Sequence, residues 1–312
     1  MTATWAAIPY EQWQETCSAL HLYLQIAGKY RLAHTPWQNH SWHATFYVNA
    51  RGLTTGLIPD ASGTEVQFDL IDHQVRIAAV DGRSSSFAMR EGTVAGFLRQ
   101  FSQAVAAVGG EPKISSLPSE LPDPIAFSED LRQRPYDRDA VNRYFRALVS
   151  VDAVFKAFRT GFLGKCSPVH LFWGGLDLAV TRFSGRYAPL HGGNVPGLSD
   201  AVVQEAYDHE CASVGFWPGG GASEAMFYAY AYPTLQGFDK TPVQPAQAYW
   251  SSELREFLLP YEAVRVAQDP GQILTSFLES TYSGAADLAK WPREDLDCRP
   301  GQLAHPRAVR RQ

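Results

Sequence analysis

Residues 168–183, PVHLFWGGLDLAVTRF, together with 212–217, ASVGFW, and 224–233, EAMFYAYAYP, decide the fold class. Each segment is short, rich in β-branched and aromatic residues, and bounded by Gly or Pro, which is how strands read. In 226–232, Met226, Tyr228, Tyr230 and Tyr232 fall on one face and Phe227, Ala229 and Ala231 on the other. Two arrangements satisfy that pattern. The small residues face a helix while the tyrosines face a cavity, or the tyrosines pack as core with their hydroxyls bonded to loops. Segment 168–183 reads as one long strand bent at Gly174-Gly175, and YWSSELREFLL (249–259) as a further strand.

Helices flank these strands. Val141, Phe145, Leu148, Phe155, Phe158 and Phe162 recur at helical spacing behind Asp137, a capping residue. Asp269-Pro270 opens another helix carrying Ile273, Leu274, Phe277, Leu278 and Tyr282. The N-terminal half has the same order. A helix over about Tyr10–Ala27 precedes strands at WHATFYVN, GLTTGLIP, TEVQFDLI and QVRIAAV, the last two meeting at an Asp72-His73 turn, and a helix follows from Thr93 to Gly109.

The expected class is α+β, with two similar lobes of helix, antiparallel strands and helix, as a tandem duplication would give. The boundaries are 1–110 for the first lobe, 111–136 for a Pro-rich linker, 137–291 for the second lobe and 292–312 for a flexible tail. The second lobe alone carries an insertion, RYAPLHGGNVPGL (186–198).

Composition sets the outer limits. The 312 residues are 45% hydrophobic and 19% charged, values of an ordinary packed protein. A formal net charge of −5 argues against non-specific nucleic-acid binding. No apolar run is long enough for a membrane-spanning helix, and the N-terminus lacks a secretory pattern. Cys17, Cys166, Cys211 and Cys298 are scattered, which favours reduced thiols in a cytoplasm over disulfides or a cysteine zinc site. Nothing in the sequence speaks to oligomeric state.

The candidate site is the stretch Cys166–Gly221, where polar groups sit among aromatics. His170, His191 and His209 are read as ligands of a divalent metal, or His209 and His191 as acid–base groups supported by Glu210 or Glu205. If 199–210 is helical through 209, Glu205 shares a face with His209; if it is already extended there, Cys211 does instead. Arg182 and Arg186, flanking a glycine turn, are the residue type that holds an anionic group. Trp173, Trp217, Tyr228 and Tyr230 would line the pocket. Glu256 stands out beside Phe257 in an apolar run. Cys211 as a nucleophile is the weaker reading, because buried thiols are usually inert.

HLFWGGLDLAVTRFSGRYAPLHGG, EAYDHECASVGFWPGG, FYAYAYP, REFLLPYEAVR and FLESTYSGAADLAKW together resemble an uncharacterised, mainly bacterial family known only as a domain of unknown function. The resemblance covers most of the chain and implies that both halves form one unit. It carries no activity, cofactor or catalytic residue. The functional expectation is an enzyme acting on a small polar or anionic molecule. The alternatives are a non-catalytic small-molecule binding or sensing protein, and a structural protein without a pocket.

Overall fold

A computed structural model describes residues 5–308 apart from 196 and 222. Helix α1 (Gln14–His34) runs through the middle of the molecule and is buried on nearly all sides. Five antiparallel strands follow in simple meander order: β1 (Tyr47–Asn49), β2 (Gly52–Ile58), β3 (Thr64–Asp69), β4 (Gln74–Ala79) and β5 (Ser84–Ala88). Helix α2 (Val94–Ala107) returns over this sheet, capped by the Thr93 side chain, and its Phe97 stacks on Tyr23 of α1 at 4.1 Å.

Helix α3 (Arg138–Arg159) begins where Asp137 accepts hydrogen bonds from the backbone N–H groups of Asp139 and Ala140. The remaining strands are β6 (His170–Phe172), β7 (Asp177–Tyr187), β8 (His209–Trp217), β9 (Met226–Tyr232), β10 (Tyr249–Ser251) and β11 (Glu256–Pro260). They form a second antiparallel sheet in the order β10-β11-β9-β8-β7-β6. Helix α4 (Asp200–Ala206) precedes β8, and α5 (Tyr261–Arg265), α6 (Pro270–Leu288) and α7 (Arg293–Leu296) complete the chain. The α+β class stands. Asp269 caps α6 through the Gln272 N–H, as its placement before Pro270 predicts.

Alternation along the second sheet gives it two different faces. Leu178, Val180, Val214, Phe216, Phe227, Ala229 and Leu259 are buried on the face that α3 and α6 cover, and the small Ala229 and Ala231 let α6 approach. The opposite face carries Tyr228 and Tyr230. Of the two arrangements the sequence allows, tyrosines toward a cavity is the one present.

Several elements differ from their sequence reading, each for a tertiary reason. Gly174-Gly175 is a reversal, not a bend: β6 and β7 pair antiparallel, with His170 opposite Ala179. Segment 249–259 is likewise a hairpin, turning at Arg255 with φ 58°. Strand β5 was hidden because SSSFA offers one apolar residue and forms a largely exposed edge. Segment 199–210 is helical through Ala206 and extended from His209, which pairs with Tyr187. Helix α1 runs past Gly28 to His34 because Gly28 is a contact surface. A β-carbon there would overlap the indole of Trp173, and the Trp173 Nε1–H donates to the carbonyl of Ala44.

The two halves share one continuous apolar core. Their sheets meet edge to edge where Phe46 and Leu171 exchange backbone hydrogen bonds of 2.9 and 2.8 Å. The Pro-rich segment 111–136 lies against this core, burying Phe127 and an Arg134–Asp130 ion pair at 2.8 Å. Beyond residue 292, Cys298 N–H bonds the Gly161 carbonyl, fixing the chain against the end of α3.

Overfilling the α1–Trp173 contact costs about 1–3 kcal/mol in a well-packed core. Gly28→Ala is therefore expected to lower the unfolding free energy measured in urea by that amount, with a lower midpoint. An unchanged midpoint would show that the contact is not a structural joint.

Candidate functional site

The open face of the second sheet forms the floor of a cavity of about 750 Å³. Strand β7 contributes Asp177, Ala179, Thr181 and Phe183. Strand β8 contributes Cys211, Ser213 and Trp217, β9 Met226, Tyr228 and Tyr230, and β11 Glu256 and Leu258. The inserted loop and α4 make the roof, through Val195, Gly197–Ser199, Val202 and Val203. One end is closed by Trp37, His40 and Trp42, and another side by Ser119, Glu120 and the Phe172–Gly175 turn.

Two glycines shape the floor and its polar end. Gly215 lies opposite Tyr228 in the sheet, and a β-carbon at 215 would occupy the space of the Tyr228 ring. The tyrosine therefore lies flat across β8 and donates from its hydroxyl to Asp177 Oδ2 on β7, at 2.5 Å. Gly174 plays the same part for Glu120, since a β-carbon there would overlap the Glu120 carboxylate. Asp177 Oδ1 and Glu120 Oε2 lie 2.9 and 3.7 Å from the point a Gly175 β-carbon would occupy, so the two carboxyls share one corner.

Helix α1 holds that corner together with three side chains spaced four apart, which places them on one helical stripe. Gln25 grips the backbone of Ser119, donating to its carbonyl at 2.9 Å and accepting from its N–H at 2.7 Å. Lys29 Nζ donates to Ser119 Oγ at 2.9 Å. His21 Nε2 lies 2.8 Å from the Gly174 carbonyl and 3.0 Å from that of Trp173, a position that calls for the proton on Nε2. The roof reaches the same place: Gly197, at φ 74°, sits where a β-carbon would meet the Glu120 backbone.

The electrostatics of the corner follow from desolvation without a cationic partner. Burial, then the neighbouring Asp177 charge, push Glu120 up to about 7 against the pull of Lys29. Glu120 is accessible by surface area, but the surface it exposes borders the cavity, where other protein groups crowd it. Burial and then Asp177 likewise push Glu256 up to about 7. Asp177 itself rises to about 6 by burial, with the Tyr228 hydroxyl pulling the other way. None of the three forms an ion pair with Lys or Arg among the described residues. A carboxyl that exchanges its proton near neutral pH suits general acid or base work.

The residues singled out in the sequence divide into two groups. Trp217, Tyr228, Tyr230, Trp173, Glu256 and Cys211 line the cavity. Burial pushes the Cys211 thiol up to about 12, which leaves it a poor nucleophile. The histidines, arginines and remaining glutamates lie elsewhere. His170 is buried at the sheet edge, with Nδ1 2.7 Å from the Pro168 carbonyl and its ring against Phe172. Burial pushes it down to about 4. His191 lies against Tyr207 and Tyr232 at ring distances of 5.0 and 5.2 Å. His209 contacts Tyr187 and bonds Asp208 at 2.7 Å.

The structure does not bring these three histidines together, and among the described residues no three His, Cys, Asp or Glu side chains are placed to hold a metal ion. Arg182 is on the opposite face of the sheet, its guanidinium 3.5 Å from the centre of the Phe158 ring and 3.7 Å from Glu279. Arg186 pairs with Glu210 at 2.7 Å and donates to the Ala289 carbonyl at the end of α6. Glu205 accepts from the backbone N–H of His40. All of these have structural partners outside the cavity.

Asp177, Glu120 and His40 were not singled out by the sequence reading. Glycines at 174, 175 and 215, inside or beside strand signals, are the sequence sign of close approach by which the first two could have been found. For His40 no such sign exists. It lies at the end of the cavity closed by Trp37 and Trp42, 2.7 Å from Lys165 Nζ, with its Nδ1 2.7 Å from the Ala206 carbonyl.

Comparison with known proteins places the chain in a family. Residues 5–298 match the family of unknown function DUF5996, and the chain belongs to it. No curated protein and no solved structure matches the chain. Among the described residues no helix is long and apolar enough to cross a membrane.

The raised carboxyls set a pH dependence. Glu256 binds its proton more tightly folded than unfolded, so its contribution is fully present below about 4.5 and is lost as pH rises through about 7. Glu256→Gln is expected to be more stable than wild type at pH 8, by about 1–2 kcal/mol once discounted for solvent in the cavity. The two proteins should melt alike at pH 4. Equal melting at both pH values would mean that Glu256 is not desolvated.

Proposed function

We propose that this protein is an enzyme that binds a small organic molecule in the cavity of the second sheet and acts on it by proton transfer. The observation that carries the reading is the Asp177–Tyr228 pair, set beside Glu120 in an aromatic-walled cavity of about 750 Å³ whose floor also carries Glu256. Asp177, hydrogen-bonded and the most readily ionised of the three, takes a proton from the bound molecule. Glu120 or Glu256, part-protonated near neutral pH, returns one to another of its atoms. Trp217 and Tyr230 supply flat apolar surface for the body of the substrate. The roles first expected of His209, His191, Glu205 and Glu210 thus pass to carboxyls, and no divalent metal enters the proposal. Four free cysteines support a reducing compartment such as the cytoplasm.

The second reading is a non-catalytic binding or sensing protein, favoured by the largely aromatic and aliphatic floor. One experiment separates the two. Untagged protein is incubated with a small-molecule cell extract, and the extract and the protein-bound fraction are compared by mass spectrometry. The enzyme reading predicts a compound that wild type consumes and that Asp177→Asn, at concentrations that saturate it, converts at least about a hundredfold more slowly. A compound retained and released unchanged by both proteins would establish the binding reading instead.

A further inference from the structure

We propose that the cavity is specific for a small organic cation: an amine or quaternary ammonium on an apolar body, its charged head seated at the Asp177–Glu120 corner, with Glu256 on the floor of the same cavity. The inference rests on reading the cavity as a small-molecule site and names the class of molecule it admits. Its first support is the sign of the charge. The cavity wall includes three carboxyls and neither Lys nor Arg among the described residues. The arginines that would have held an anion are spent elsewhere, Arg182 behind the sheet and Arg186 at the end of α6.

The second support is the aromatic wall. Trp217, Tyr228 and Tyr230 present rings to the same space, and ring faces attract a desolvated cation. Tyr228 and Tyr230 are stacked at 6.1 Å, so their faces form one continuous surface leading to Asp177. The third is that the three carboxyls line the cavity without an ion-pair partner among the described residues. An ammonium group would supply the missing partner, whereas an anion or a neutral group would leave the cost in place. A metal ion is a poorer match, because the groups are not gathered in ligand geometry among the described residues.

Cation binding favours the ionised carboxyls, so affinity should rise with pH until the amine itself loses its proton. The other groups facing the corner are Lys29 and His21 from α1 and the hydroxyls of Tyr228, Tyr230 and Tyr207. His40 lines the end of the cavity with Trp37 and Trp42 and is bonded to Lys165. Lys29 lies beside Glu120, which leaves Asp177 and Glu256 as the carboxyls most available to a ligand.

The test is calorimetric titration of the full chain near pH 8 with phenylethyl, indolylethyl, cyclohexylethyl and n-hexyl compounds, each as primary amine, alcohol and carboxylate. At least one amine is expected to bind roughly tenfold or more tightly than its alcohol and carboxylate counterparts. That preference should shrink near pH 6 and in Glu256→Gln, a variant that loses no hydrogen bond. Asp177→Asn should abolish it, with its thermal midpoint measured alone first to confirm folding. An alcohol or carboxylate that binds as tightly as its amine, and is excluded when Ala179→Trp fills the cavity, would overturn the cation assignment and leave the small-molecule site standing. Silence from every compound of every scaffold would overturn both.

Discussion

The contact of the Trp173 indole with Gly28 is the constraint on which the other parts of the site depend. The ring fills the space a helical side chain would take, and its N–H reaches the Ala44 carbonyl. Lys29 Nζ is 5.3 Å from its ring centre, and His21 bonds the carbonyls of Trp173 and Gly174, the first two residues of the turn. A single buried side chain thereby fixes the central helix, the segment before the first sheet and the β6–β7 reversal in one relation. Asp177 is the first residue of β7, and Glu120 rests on Gly174. Both carboxyls therefore take their positions from Trp173. Burying a ring of this size also contributes a few kcal/mol of hydrophobic stabilisation, enough to offset the helix penalty of Gly28.

The carboxyl corner is an expensive arrangement for a protein to keep. Asp177 and Glu120 share one corner and Glu256 lines the same cavity, with the nearest cation bonded to Ser119. Folding alone would be better served by neutral residues there. Such a local disagreement between stability and sequence is where function is to be sought. The same argument counts against the histidines. His191 and His209 have ordinary packing and hydrogen-bonding roles, and His170, whose Nδ1 bonds the Pro168 carbonyl, is buried among apolar neighbours away from the cavity.

Much of the architecture was legible because it rests on local rules. Asp137, Thr93 and Asp269 cap the helices they precede, and period-two alternation placed most of the strands and divided the faces of β9. The site was only half legible. Its aromatic wall was visible because Tyr228, Tyr230 and Trp217 sit in strands whose faces can be read from spacing. Its acidic corner was not, since Glu120 lies in a Pro-rich segment with no periodicity and reaches Asp177 only through Gln25, Lys29 and Gly174. Histidine and arginine drew attention by chemical type. Residue type alone carries no information about which face of a sheet a side chain ends on, and Arg182 is the clearest case: one position along β7 separates it from the cavity floor.

The fit of Tyr228 over Gly215 has a consequence for how such a sequence can change over time. The two positions occupy one volume between adjacent strands, so neither is free to vary by itself. A larger residue at 215 is admissible only in a lineage whose residue 228 has already become smaller. Such a lineage has also lost the hydroxyl that holds Asp177. Descendants should therefore keep glycine, tyrosine and aspartate as a set or abandon all three. Across relatives, the joint presence of those three residues would mark which members have kept the same chemistry.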